Sequence, residues 1–324
     1  MTKIKYEMKP LFEERMRKLL PNEKDFEAFN KIIHQKPRRF IRCNTLKISC
    51  EELIKRLNKK WKVEQLFSEF PEIMLIENEL EPGELGNSVE HLLGYFYVQE
   101  LSSMLPLLVL KPSPGEFVLD LCASPGSKTT QMAAMMENKG TIIANDIKLD
   151  RIKILSANLE RCGVMNVVVT RNDGVGLCNR LGKKGFKFDK ILLDTPCSGE
   201  GTLRSSPKTF KMWNFKVVKK LSREQKKLFA YALRALKKGG EIVYSTCTHA
   251  PEENEAVVDF AVRNFPVEIE EIVLPLKCRP GVLEWYGERF SDEVCKSCRI
   301  YPHDNDSEGF FIAKFKLLEE VEVK

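Results

Sequence analysis

The sequence predicts an α/β protein in which a doubly wound, mostly parallel sheet follows a smaller α+β unit. Three observations carry that prediction. From residue 117 onward, apolar runs of strand length alternate with helical stretches, the pattern of βαβ units. Ahead of them Lys111-Pro112-Ser113-Pro114-Gly115 breaks the chain, so 1–110 and 111–324 are expected to form separate domains. Finally, Ile191-Leu192-Leu193-Asp194 and Ile242-Val243-Tyr244-Ser245-Thr246 each lead into a cysteine, Cys197 and Cys247. Buried strands deliver side chains in this way to the ligand-binding edge of an open sheet.

With 324 residues the chain has room for one large domain and a smaller one. The formal charge of +6 is modest, but Lys and Arg concentrate in 36–42, 55–62, 183–187 and 208–227. That pattern permits a nucleic-acid partner without requiring one, since solvated helix faces look the same. No run approaches bilayer-spanning length, and Met1-Thr2-Lys3-Ile4-Lys5-Tyr6 lacks the apolar core of a secretion signal. A cytoplasmic location with no membrane contact is expected. Ten cysteines without such a signal are expected to be reduced thiols, most of them small buried hydrophobes. Cys295 and Cys298 have CxxC spacing, but no second pair completes a zinc site. Structural or redox thiols, and no metal, are expected there; Cys278 and His303 could add ligands only through the fold.

Taken in order, residues 7–20 place Leu11, Phe12, Arg15, Met16, Leu19 and Leu20 along one side of a helix that Pro21 ends. Residues 23–33 read as a second helix. The stretch 38–46 reads as a strand flanked by basic residues, suited to face RNA, with plain packing nearly as good an account. Ser49 is placed to cap a helix over 51–57, with Glu52 as its reciprocal partner in a capping box. Strands around 63–67 and 73–76 follow, and 98–106 opens a short apolar helix. The second unit places strands at 117–121, 141–145, 167–170, 190–193 and 241–245. Helices over 129–136, 150–161 and 217–236 lie between them.

The turn after the first of those strands, Cys122-Ala123-Ser124-Pro125-Gly126-Ser127-Lys128, brings small residues and a helix N-terminus to one place, as a nucleotide site does. A P-loop is excluded because Ser127 separates Gly126 from Lys128, and a dinucleotide fingerprint because only one glycine is present. An adenosine-type ligand survives. Asp146 after the second strand can take ribose hydroxyls, and Asp173 after the third can accept from an adenine amino group. With Asp194 after the fourth, acids at successive strand tips fit S-adenosylmethionine, whose sulfonium is positive. Any one of them alone is ordinarily a turn or cap residue.

A lone cysteine is ordinarily a buried, inert hydrophobe. Cys197 and Cys247 have a different context. Each precedes a polar turn, and the one after Cys247 is expected to open a helix whose N-terminus lowers the thiol pKa. A cytosine ring is electron-poor at C6 and unreactive at C5. A thiolate added at C6 loads electron density onto C5, an acid near N3 assists, and a base later removes the C5 proton. Two thiols and an aspartate beside a methyl donor are the parts this needs.

At these motifs the sequence resembles the Sun-type (NOL1/NOP2/Sun) RNA cytosine-5 methyltransferases. The resemblance rests on Asp120 to Thr130, on Asp194-Thr195-Pro196-Cys197-Ser198-Gly199 and on Ser245-Thr246-Cys247-Thr248. Arg42-Cys43-Asn44-Thr45-Leu46-Lys47, Val98-Gln99-Glu100 and Gly309-Phe310-Phe311-Ile312-Ala313 look like further family motifs, so it spans about residues 38–315. It implies a Rossmann-like S-adenosylmethionine-dependent methyltransferase fold behind a smaller N-terminal α+β RNA-binding domain. By that resemblance Cys247 is the nucleophile and Cys197 assists breakdown of the covalent adduct. Asp194 contacts and activates the base, and Lys128 lies beside donor and base. Cys122, Ala123, Ser124, Pro125, Gly126, Ser127 and Lys128 cradle the methionine end of the donor. Asp146, Arg151 and Asp173 surround its adenosine, with Asp194 close by, and Arg42 and Asn44 meet RNA. Ser124, Ser127 and Thr195 stand where the family often has Ala, Gly and Ala, small-for-small changes. The substrate expected is RNA, tRNA before rRNA. Two rivals remain at this point: a DNA cytosine-5 methyltransferase, disfavoured by the second Thr-Cys motif, and a non-catalytic RNA-binding assembly factor, which needs neither thiol.

Overall fold

The computed structural model describes residues 7–322. Helices α1 (Pro10–Leu19) and α2 (Glu23–Ile32) open the chain, the first with Pro at its start and the second capped by Asn22. Their apolar sides do not pack on the small sheet that follows. Phe12, Met16, Phe26 and Phe29 share a buried cluster with Leu203, Phe210, Trp213 and Tyr301 from the far half of the chain.

The small sheet has four antiparallel strands in the order β2-β3-β1-β4, formed by β1 (Arg39–Cys43), β2 (Val63–Gln65), β3 (Ile73–Ile76) and β4 (Phe96–Val98). Helices α3 (Cys50–Leu57) and α4 (Val89–Leu92) belong to this unit. Ser49 caps α3 by accepting from the Glu52 N–H at 3.2 Å. The reciprocal bond of a capping box is not made, because the Glu52 carboxylate turns to Arg56 one turn on. The helix expected from Val98 also starts later. Val98 ends β4, and α5 (Leu101–Leu110) begins after Glu100, whose carboxylate accepts the N–H groups of Ser102 and Ser103. Helix α5 is apolar on all sides because it lies under the large sheet, where Met104, Leu105 and Leu108 pack with Val118, Ile142, Leu192 and Val243.

The second unit alternates as its sequence predicts: β5 (Phe117–Asp120), α6 (Ser127–Met135), β6 (Thr141–Asp146), α7 (Leu149–Cys162), β7 (Val167–Arg171), α8 (Gly174–Lys183) and β8 (Phe188–Asp194). After β8 come the short α9 (Lys208–Met212), the long α10 (Phe215–Arg234) and β9 (Leu236–Thr246). The order β7-β6-β5-β8-β9 is parallel throughout, and β5 is the switch point from which successive strands are laid outward in both directions. Helix α11 (Glu255–Asn264) and β10 (Val267–Glu270) lead into an antiparallel extension made of β11 (Arg279–Pro280), β14 (Cys298–Ile300) and β15 (Phe310–Leu317). A two-strand hairpin, β12 (Glu284–Trp285) and β13 (Glu288–Arg289), and the short helix α12 (Pro302–Asn305) complete it. β15 pairs with both β9 and β10, making nine strands in all. Of this extension only the strand at Gly309 to Ala313 was legible in the sequence.

One cysteine expectation fails. Cys278 and Cys298 form a disulfide across this extension, so Cys298 pairs with a residue outside its CxxC motif and Cys295 is left exposed.

Candidate active site

The two thiols meet because β8 and β9 are parallel neighbours in register, Asp194 against Ser245. Beyond that pair, Thr195 and Pro196 carry one chain to Cys197, and Thr246 carries the other to Cys247. Their Sγ atoms lie 2.7 Å apart, and the Cys247 backbone N–H donates to Cys197 Sγ at 3.2 Å. The bond to Cys247, then burial, pushes the Cys197 thiol well above its ordinary range, so it keeps its proton at neutral pH. Behind the pair, the Ser198 and Thr248 hydroxyls lie 2.7 Å apart and tie the two turns together again.

Asp194 is the hinge between thiols and donor loop. Its Oδ1 accepts from the Ser245 hydroxyl at 2.7 Å, and its Oδ2 lies 2.8 Å from the Lys128 ammonium. Lys128 is itself buried and also donates to Ser103 Oγ at 2.9 Å. A base entering beside Cys247 therefore meets a carboxylate whose orientation is set from two sides.

The donor loop is built from main chain. β5 ends at Asp120, which accepts from the Thr129 hydroxyl at 2.7 Å; burial, aided by the charge of Asp194, raises its carboxyl to about 7. Burial likewise pushes the Cys122 thiol up. Gly126 has φ +102°, and a Cβ there would reach 3.0 Å from Leu155 Cδ1. No side chain caps α6, so its first N–H groups are open to a ligand. Asp146 ends β6 buried, 3.4 Å from Arg151 Nε, and Arg151 in turn bonds the Ser124 carbonyl. Ser124 returns its hydroxyl to the Arg151 carbonyl at 2.8 Å. Asp173 caps α8 through the Gly176 N–H while remaining exposed. Open amides at a helix start and a buried carboxylate at the next strand tip fit an adenosine-bearing methyl donor.

Residues 107–316 match the family model described as 16S rRNA methyltransferase RsmB/F, and 8–101 match the N-terminal domain of 16S rRNA methyltransferase RsmF. The chain belongs to the RsmB/F methyltransferase family. It is 44% identical over 293 residues to the tRNA (cytosine(49)-C(5))-methyltransferase of Pyrococcus abyssi, covering 90% of this chain and 92% of that one. It is 39% identical to ribosomal RNA small subunit methyltransferase F of Shewanella piezotolerans, of whose length it spans 62%. Among solved structures, a methyltransferase homolog protein from Pyrococcus horikoshii superposes with a TM-score of 0.83 at 36% identity, with 95% of each chain covered. NSun6 from the same organism, solved with SFG, gives 0.81 at 27% identity, covering 95% of this chain and 97% of that one. The Sun-type resemblance is thereby confirmed.

In this RsmB/F chain two expectations from the sequence need correction. Arg42 and Asn44 do not face outward: both are buried, Arg42 donating to Thr130 Oγ1 at 2.8 Å and Asn44 to the carbonyls of Gly94 and Cys162. They join the small sheet to α6 and α7, and neither side chain is exposed. Nor does a helix start beside Cys247. A turn over 248–254 intervenes before α11, so no helix dipole reaches that thiol. Asp120, Ser103 and Ser245 were missed as site residues. For Asp120 a signal existed, an acid ending the first strand of the alternation.

A second polar cluster, Asp25, His303 and Asp304, has the composition of a metal site. The Arg279 guanidinium lies among them, bonded to both carboxylates, and holds the Asp25 carboxyl down at about 2. The cluster is a salt-bridged clasp between α2 and α12.

Proposed function

We propose that this protein transfers a methyl group from S-adenosylmethionine to C5 of a cytosine in RNA, with tRNA as its substrate and rRNA as the alternative. The observation that carries the proposal is the thiol pair at the tips of β8 and β9 beside the Asp194–Lys128 pair. Cys247 adds through sulfur to C6 of the base, while Asp194, held by Ser245 and Lys128, activates the ring at N3. The donor, when bound over the Cys122 to Lys128 turn with Asp146, Arg151 and Asp173 around its adenosine, supplies an electrophilic methyl group. Everything else falls to the chain. C5 must lose its proton, the C6–S bond must break, and its electron pair must return to Cys247; Cys197 assists that release. A binding-only protein has no use for this geometry.

Substrate grip belongs to the N-terminal unit and to exposed basic residues, not to Arg42 and Asn44. The densest row lies on α10, where Lys216, Lys219, Lys220, Arg223 and Lys227 are exposed. Because α5 packs under the large sheet, we draw the division between the two units just ahead of that helix rather than at residue 110. Among the described residues no helix is long and apolar enough to cross a membrane. A cytoplasmic reaction belongs to the same proposal, since that is where its RNA substrate would be met. The tRNA preference follows the relative that matches over nine-tenths of both chains.

Tritiated methyl transfer to tRNA transcripts and to small-subunit rRNA fragments, followed by mapping of 5-methylcytosine, tests this. Label at a defined tRNA cytosine is expected. Label in the rRNA fragment alone would replace the substrate and keep the chemistry, and label in neither would overturn the proposal.

A further inference from the structure

Glu253 lies in the turn between β9 and α11 and is fully buried. Its Oε2 accepts from the Ser198 backbone N–H at 3.0 Å and from Gln225 Nε2 at 2.9 Å. The same Gln225 nitrogen donates to the Pro196 carbonyl at 2.9 Å. Pro196 and Ser198 flank Cys197, so one carboxylate and one amide fix both sides of that thiol. The Glu253 main chain is held as well, its carbonyl accepting from the Tyr244 hydroxyl at 2.5 Å. The carboxylate thus ties the turn that carries Cys197 to the turn that follows Cys247.

Among the described residues no cation pairs with Glu253. From the β8 side it faces Cys197 and Glu200, the latter bonded to Trp213. From α10 it meets neutral Gln225, from β9 Tyr244, and beside it Glu252 is paired with Arg15. Its Oε1 is buried with no hydrogen-bond partner among the described residues. A purely structural tie does not need an unpaired buried carboxylate, because a neutral amide would hold the same loops at less desolvation cost.

We propose that Glu253 is a positioning residue for product release: it holds Cys197 against Cys247 and sets a negative charge beside its thiol. This rests on the methyltransferase chemistry proposed above. In release, water takes the C5 proton, the C5–H pair becomes the C5=C6 bond, and the C6–S pair returns to Cys247 Sγ. The Cys197 S–H, held in place by Glu253, hydrogen-bonds that sulfur as its negative charge develops and transfers no atom. The negative carboxylate adds to the bond to Cys247 and to burial, which keep Cys197 from competing as a nucleophile.

The test uses the full chain with donor and an RNA it methylates. Glu253→Gln is expected to leave the first-turnover rate within about twofold, lower steady-state kcat by about tenfold or more with the KM for RNA falling alongside it so that kcat/KM holds, and accumulate a covalent protein–RNA band. Burial raises the Glu253 carboxyl to about 7, so it ionises as pH rises through that value. The release rate of the unsubstituted enzyme should therefore climb through that range, and the Gln variant should lack the step. Gln225→Met leaves the charge and cuts the tie to Pro196; it should trap adduct too, and it decides the matter if Glu253→Gln does not fold. Unchanged turnover without adduct in either folded variant overturns the assignment, as does an equal fall in first-turnover and steady-state rates. No methylation by the unsubstituted protein would sink the underlying chemistry instead.

Discussion

The catalytic edge of this protein has two sides built by different means. On the donor side, over β5, β6 and β7, the ligand surface is main chain: an uncapped helix start, a glycine at positive φ and small residues, with acids at the strand tips. On the thiol side, over β8 and β9, the working groups are side chains held by other buried side chains, Ser245 on Asp194, Gln225 and Glu253 around Cys197. The difference follows from the task. A donor with many polar groups is recognised by amides wherever the chain can approach closely, whereas two free thiols within hydrogen-bonding distance need lateral support from several elements.

That contrast predicts where substitutions act. Asp194→Asn should fall on chemistry, lowering first-turnover methylation by about 100-fold or more while RNA affinity holds. A loss confined to RNA binding would move Asp194 out of the reaction. Arg42→Met should fall on neither side. It removes a buried interdomain bond and is expected to cost about 2 kcal/mol in chemical denaturation, with RNA affinity unchanged. Weakened RNA binding in a protein of unaltered stability would return Arg42 to the substrate surface. Smallest in effect, Asp146→Asn should weaken donor binding by about tenfold, roughly 1.4 kcal/mol, in titration calorimetry, and leave the adduct chemistry intact at saturating donor. An effect on adduct formation under those conditions would blur the line between the two sides.

How much of this was legible in sequence follows the same line. The strand tips were, because a buried parallel strand is a continuous apolar run and its end is marked by the first polar residues. Asp146, Asp194, Cys197 and Cys247 all stand at such ends. Glu253 was not, since Pro251-Glu252-Glu253-Asn254-Glu255 has the composition of a solvated turn, yet Glu253, Asn254 and Glu255 are fully buried. Their partners, Gln225 and Arg299 among them, are remote in sequence. Arg42 was misread for a related reason. A basic residue on a strand has two faces available, and what chose the inner one was Thr130, 88 residues away. The disulfide between Cys278 and Cys298 likewise depended on the antiparallel extension, most of which had no sequence signature.

The central claim is that the two thiols, though in contact, have unequal work. The direct measurement is denaturing electrophoresis of the protein with RNA and S-adenosylmethionine. Cys197→Ala should accumulate a covalent protein–RNA band after methyl transfer, and Cys247→Ala should form none. A band with Cys247→Ala and none with Cys197→Ala would reverse the roles, and no band with either would contradict covalent catalysis by this pair.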